Sequence, residues 1–302
     1  MNLLVIGGSG YLGREVIKEA SRRNWKIISV SLKRRKIKTK KNSNVNYFFK
    51  DITKKEQIIF LKKYKFDYVV NTSGYVDHSN FFKNGRSIID NHLVSLINII
   101  SVLNRKNLKG FVQIGSSEEY GIDNKIQNEG DREAPASPYA FSKMASSHFL
   151  QMLSKSESFP ATTLRVFLVY GPGQDKNRLI PYVIDKCFKD KKFKISHGKQ
   201  KRDFTYIDDL VKAIFLCLKA KKANGKIYNI GTGKTTSVKS VVKLIHSSIG
   251  KGSPSFGEKK IIRNENLNLV ARINSIKKDL KWTSSTKLVE GINKTIKMYN
   301  EQ

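Results

Sequence analysis

Cysteine is nearly missing. Cys187 and Cys217 are the only two in 302 residues, each inside an apolar helical pattern, which excludes a disulfide framework and fits a reducing compartment. No apolar run approaches the roughly 20 residues that cross a bilayer. The run in "MNLLVIGGSG" stops at a glycine turn and carries no basic leader, so the expectation is a cytoplasmic protein with no membrane insertion. Five histidines (78, 92, 148, 197 and 246) are scattered without metal-ligand spacing, and no metal is expected. Carboxylates are also scarce, 25 against 57 Lys and Arg, giving a formal net charge of +32. Such a balance can bind polyanions by releasing their counterions. Here, however, "LKRRKIKTKK" is the only dense basic run and the other lysines are spread evenly, so nucleic acid is not the expected partner.

Strand-like apolar runs alternate with helical patterns through the first two thirds: "LLVIG" (3 to 7), "KIISV" (26 to 30), "VNYFF" (45 to 49), "DYVVN" (67 to 71), "GFVQIG" (110 to 115) and "TTLRVFLVYG" (162 to 171). Helices are expected near 54 to 64, near 87 to 105 and from Pro138. Runs this apolar suit strands buried on both faces, and strands alternating with helices imply right-handed crossovers in a parallel sheet. The expected fold class is α/β, a Rossmann-type doubly wound parallel sheet over residues 1 to 170 with a later segment, about 205 to 230, returning to it. Beyond "YGPGQDKNR" the rhythm becomes irregular. Residues 171 to 302 are expected to form mainly a smaller substrate-binding lobe.

"GGSGYLG" sits between the first strand and the first helix, the context a dinucleotide fingerprint requires. Gly7 permits the tight turn, Gly10 lets a pyrophosphate approach the backbone, and Gly13 lets the helix pack on the sheet. Tyr11 and Leu12 open the helix whose free N–H groups would face the phosphates. An NAD site places Asp or Glu about 20 residues later on the ribose hydroxyl. This chain has "SVSLKRR" there: Ser31, Lys33, Arg34 and Arg35 can bond and neutralise a 2′-phosphate, so NADP is expected, with NAD the alternative.

"SPYAFSK" opens a helix with Ser137 as N-cap and Pro138 in the first turn, so Tyr139 and Lys143 share one face. A phenol of pKa near 10 must lose about three units, roughly 4 kcal/mol, to exchange protons easily at neutral pH. Lys143 and the helix terminus both push that way. Tyr182 and Lys186 have the same spacing but lie in the later lobe, with no glycine turn or serine-ended strand before them, and read as ordinary helix. "GTGKT" at 231 to 235 fails as a phosphate loop because the required earlier glycine falls at Tyr228. Asp208 and Asp209 begin a helix and are expected to offset its dipole.

The order of motifs resembles the extended short-chain dehydrogenase/reductase family, specifically its nucleotide-sugar enzymes. It runs through "GGSGYLG", "KDIT" at 50, "NTSG" at 71, "DNHL" at 90, "GSSEEYG" at 115, "SPYAFSK", "LRVFLVYGPGQ" at 164, "KRDFTYIDDLVKAI" at 201, "YNIGTG" at 228 and "NSIKKDLKW" at 274. The resemblance implies that Ser116 bonds the sugar oxygen, Tyr139 exchanges a proton with it, and Lys143 holds the nicotinamide ribose and lowers the tyrosine pKa. It likewise implies adenine contacts at Asp51 and Ile52, a framework role for Asn91, and substrate contacts at Ser116, Ser117, Arg202 and Arg263. Leu168 departs from the asparagine many relatives carry there. Glu118 matches a glutamate used by dehydratases and decarboxylases, whereas Ser117 replaces the aspartate of the 4,6-dehydratase pair.

The implied activity is NADPH-dependent reduction of a nucleotide-linked 4-keto-6-deoxyhexose. A 4-epimerase and a 4,6-dehydratase or decarboxylase are the competing enzymes, and a silent dinucleotide- or RNA-binding protein is the alternative from another class. The implied partners are a nucleotide-diphosphate sugar and a second copy of the chain, paired through the helices near 87 to 105 and 138 to 155.

Overall fold

The computed structural model describes residues 1–33, 44–123, 125–259 and 266–301. Strands β1 (Asn2–Ile6), β2 (Lys26–Ser31), β3 (Val45–Phe49), β4 (Tyr68–Asn71), β5 (Gly110–Ser116), β6 (Ala161–Val166) and β7 (Ile227–Ile230) form one sheet in the order β3-β2-β1-β4-β5-β6-β7. Every neighbouring pair is parallel. Alternation along β1 shows why its run is wholly apolar: Leu3 and Val5 face one layer, Leu4 and Ile6 the other, and all four are fully buried. The first layer contains α1 (Tyr11–Arg22) and α3 (Ile207–Lys219). The second contains the helical segment 81–102 and α2 (Pro138–Glu157). Strand order reverses between β1 and β4, and open α/β sheets bind ligands beyond the strand ends at such a reversal.

Two segments differ from the sequence expectation. The run expected as one strand over 162 to 171 divides at Phe167, where the ladder partner changes: Phe167 N–H donates to Ile230 O at 3.1 Å and Leu168 N–H to Asp203 O at 3.1 Å. Leu168–Tyr170 then pairs with Phe204–Tyr206. The cause is packing, because the Phe167 ring belongs to a small cluster with Tyr120, Leu269 and Ala271 rather than to the sheet layers. The second difference is at Asp209, which does more than offset a dipole. Fully buried, it accepts from Ser284 Oγ (2.9 Å), Ser285 Oγ (2.8 Å) and Thr286 N–H (2.9 Å), fastening a distant segment to α3.

The smaller lobe, meaning the part of residues 171–302 outside the large sheet, carries helices Leu179–Phe188, Val238–Ile249 and Leu288–Asn300. Among the described residues it shares in three small sheets, two of which take strands from Ile126–Gln127 and Leu168–Tyr170. Its core is continuous with that of the large sheet: one apolar cluster runs from Leu3 and Val5 through Leu210 and Ile214 to Ile184, Val241 and Ile245.

Burial pushes the Asp209 carboxyl up, but hydrogen bonds from Thr286, Ser285 and Ser284 outweigh it and hold the group below the usual 3.8. A depressed carboxyl contributes stability above its unfolded pKa and loses it as pH falls through the folded value. Asp209→Ala should therefore cost about 2–4 kcal/mol at neutral pH. Its deficit against the parent should shrink below pH ~4 in parallel thermal melts; an equal deficit at all pH values would refute the assignment.

Candidate active site

The glycine turn lies at the carboxyl ends of β1 and β4. Gly7 has φ +80°, and a Cβ there would stand 2.8 Å from Ser73 N. Gly13 is closer still, its Cβ position only 2.3 Å from Gly7 O. The turn is closed by Gly10 N–H on Gly7 O (2.9 Å) and Gly7 N–H on Val30 O (2.8 Å). Gly10 gives α1 no side-chain cap, and no acidic residue occupies its first turn. The amides of Tyr11, Leu12 and Gly13 thus open a positive helix end backed by a cradle that side chains would fill. This fits a dinucleotide pyrophosphate.

Ser31, where a ribose-binding carboxylate is expected, is buried, and its Oγ accepts from Ser9 N–H at 3.0 Å. Lys33 is exposed beside it, while Arg34 and Arg35 lie outside the described residues. Asp51 and Ile52 follow the end of β3. Asp51 Oδ1 accepts from Thr53 N–H (3.0 Å) and Oγ1 (2.7 Å), and Asn98 Nδ2 donates to the carbonyls of Ile52 (3.2 Å) and Thr53 (2.9 Å).

Ser116 ends β5 and caps the turn Ser117–Tyr120, in which Ser117 is buried. Ser137 caps α2 through Ala140 N–H (3.1 Å), which sets Tyr139 and Lys143 one helical turn apart. Both are about 95% buried (6% and 5% exposed). Ser116 acts on the Tyr139 phenol from the end of β5, so the strand end and the helix face selected from the sequence come together. Lys143 Nζ donates to Ile114 O at 2.8 Å and stands 5.9 Å from the Tyr139 ring centre.

The expected acidification of the phenol is not what this structure shows. Burial, then the Glu118 charge, push Tyr139 well above the ordinary tyrosine value, and Ser116 only partly opposes them. Lys143 is itself desolvated and driven down to about 8, with the Glu119 charge opposing. The pair Tyr182 and Lys186 reproduces the cation-over-ring contact at 5.5 Å, but Tyr182 packs edge-on against Phe193 in the smaller lobe.

Two histidines escaped the sequence reading. His92 is buried, packs edge-on against Tyr139 (5.2 Å) and bonds Tyr75 O at 3.0 Å through Nε2. Burial and the Lys143 charge drive its pKa down to about 3, so it is neutral. Gly74, at φ +103°, is required beneath it, because a Cβ would reach 2.2 Å from the imidazole. His78 packs edge-on against Tyr139 at 6.1 Å and pairs with Glu118, Nδ1 to Oε2 3.4 Å. Burial raises the Glu118 carboxyl, with His78 and Arg178 opposing. Glu119 escaped too: fully buried, it meets Ser116 N–H, Ser147 Oγ and the fully buried Arg165.

Asn91 Nδ2 turns back to Ser87 O at 2.7 Å on its own helix. Arg202 is buried in the smaller lobe and donates to Lys201 O at 2.9 Å, and Arg263 lies outside the described residues. Among the described residues no group of three His, Cys, Asp or Glu side chains could hold a metal, and no helix is long and apolar enough to cross a membrane.

A parallel sheet with a glycine turn at its reversal, a serine at the neighbouring strand end and a Tyr-Lys helix face defines an extended short-chain dehydrogenase/reductase. A sequence model of the NAD dependent epimerase/dehydratase family matches residues 3–231, and the chain belongs to that family of nucleotide-sugar enzymes. It is 28% identical to dTDP-D-glucose 4,6-dehydratase of Dictyostelium discoideum over 80% of this chain and 61% of that protein. It is 25% identical to UDP-glucuronate 4-epimerase 4 of Arabidopsis thaliana over 99% of this chain and 75% of that one. In fold it matches the structure of MoeE5 in complex with UDP-glucuronic acid and NAD, with TM-score 0.87 and 21% identity over 100% of this chain and 99% of that one.

A lysine whose folded pKa is depressed from 10.5 to about 8 penalises the native state below pH 8, and the penalty fades as pH rises towards 10.5. Lys143→Met should therefore be about 2 kcal/mol more stable at pH 7, roughly 3 from relieved desolvation less about 1 for the lost bond. The advantage should vanish at alkaline pH in melts across that range; a variant less stable at pH 7 would contradict it.

Proposed function

We propose that this chain reduces a nucleotide-linked 4-keto-6-deoxyhexose with NADPH. What supports the reading is the placement of the Tyr139 phenol, buried at the strand ends and acted on by Ser116, where it can serve as an acid. Reduction needs an acid at the C4 oxygen, whereas oxidation needs a base. Ser116 orients the ketone oxygen by donating to it, and Tyr139 supplies its proton as negative charge develops there. Lys143 spends one N–H on Ile114 O and keeps its others for the ribose hydroxyls. The dinucleotide, when bound, supplies the hydride. Ser31 supports NADP over NAD, since it adds no negative charge against a 2′-phosphate and Lys33 lies exposed nearby.

In this reading residues 1–170 and 205–230 hold the dinucleotide, and the rest of 171–302 holds the sugar nucleotide, with Arg202 and Arg263 on its diphosphate. Exposed Ile97, Phe141 and Met152 support a homodimer through the helices that carry them.

A second reading, in which a keto intermediate loses water, is favoured by Glu118. Its raised carboxyl sits at the Tyr139 side of the site beside His78.

The test incubates the protein with NADPH or NADH and a panel of nucleotide-linked 4-keto-6-deoxyhexoses while nicotinamide absorbance is followed. Oxidation of NADPH, reduced about 10³-fold by Tyr139→Phe, is the expected result. Inversion at C4 of the parent sugar nucleotide without consumption of added cofactor would overturn it in favour of epimerisation. Release of water from the parent sugar would favour dehydration.

A further inference from the structure

We propose that Glu119 is the positioning residue of this site: its buried carboxylate ties the strand end bearing Ser116 to the helix bearing Tyr139 and Lys143, and presents the negative charge that faces the Lys143 ammonium. The inference rests on the reading of Ser116, Tyr139 and Lys143 given above.

Each oxygen of Glu119 has a separate task. Oε1 accepts from Ser116 N–H at 2.8 Å, closing a reciprocal cap in which Ser116 Oγ accepts from Glu118 N–H at 3.2 Å. Oε2 lies 2.8 Å from Ser147 Oγ, one turn beyond Lys143 on α2, and accepts from Arg165 Nε at 2.7 Å. Gly115 makes room for this arrangement, because a Cβ there would be 2.6 Å from Oε1. Arg165 lies across the Tyr120 ring at 4.5 Å and continues to Glu133, Nη2 to Oε1 2.5 Å, with His148 3.2 Å beyond. A buried ion pair returns little more than its desolvation cost, so stability does not account for a carboxylate at this place. The groups it joins do: it touches β5, β6 and α2 at once.

The charges around Lys143 have a definite sign. Glu119 faces it from the turn after β5, neutral His92 and the Ile114 carbonyl border it from the 81–102 segment and β5, and Tyr139 shares its helix. Glu118, paired with His78, and Arg178 act on Tyr139. Burial drives the ammonium towards its neutral form, and the Glu119 charge opposes that. Neutralising Glu119 therefore moves the Lys143 titration to lower pH and removes the ribose-holding ammonium from a larger fraction of molecules at pH 7–8.

The experiment compares the parent with Glu119→Gln, which keeps an acceptor for Ser116 N–H, and with Glu119→Gln/Arg165→Met, which also removes the buried cation that would otherwise be left underpaired. Lys143 is titrated by NMR in protein carrying 13Cε-labelled lysine, its signal identified by loss in Lys143→Arg. The expected result is a Lys143 midpoint lower by about one unit or more in both variants. With a substrate that the parent turns over, the alkaline limb of kcat should shift by a similar amount and kcat at pH 8 should fall roughly 5-fold, with KM for the sugar nucleotide little changed. A Lys143 midpoint equal to that of the parent in a folded variant overturns the proposal, as does a loss of kcat that is uniform across pH. Should the parent reduce no substrate, the NMR titration still decides the role of Glu119, and only the reductase assignment falls.

Discussion

A lysine ammonium has been withdrawn from water and given a main-chain carbonyl in exchange, with the charge of Glu119 acting on it. Much else at the strand ends follows from that burial. Lys143 reaches Ile114 O only because α2 packs flat on β5, and α2 begins where Ser137 and Pro138 start it. The same packing shuts Tyr139 away from solvent between two histidines and Ser116. In the proposed reaction the base such a phenol meets is an oxygen gaining negative charge.

The strands were legible because a parallel sheet covered on both faces demands unbroken apolar runs, and β1 to β5 occupy theirs within a residue or so. Ser116, Tyr139 and Lys143 were legible because each stands at a fixed place relative to a strand end or a helix start. What remained hidden depends on partners remote in sequence. Glu119 and Arg165 are 46 positions apart, yet signals for both were present. Ser116 and Glu119 have capping-box spacing, and an arginine inside the apolar run "TTLRVF" calls for a buried anion. His78 and His92 could not have been placed, since the loop after β4 brings the first, and the packing of the 81–102 segment the second, to Tyr139. The direction of the tyrosine shift was misjudged for a related reason: a neighbouring cation was visible in the sequence, whereas the degree of burial was not.

The excess of basic residues has little to do with the site. Some lysines pair with surface carboxylates, as in Lys109 with Asp67 at 2.8 Å and Lys294 with Glu290 at 2.7 Å, contacts that solvent screens. Within the site acids and cations are matched, with Glu118, Glu119 and Glu133 set against Lys143, Arg165 and Arg178. Net charge and the charge of the pocket are independent quantities in this molecule.

At Phe167 the chain passes from one ladder to another with no intervening loop, so the lobes are joined by continuous pairing and by a shared core. Replacing everything after Phe167 with a foreign segment would have to sever that pairing and reopen the shared core. Substitutions at loop tips and exposed side chains leave both intact.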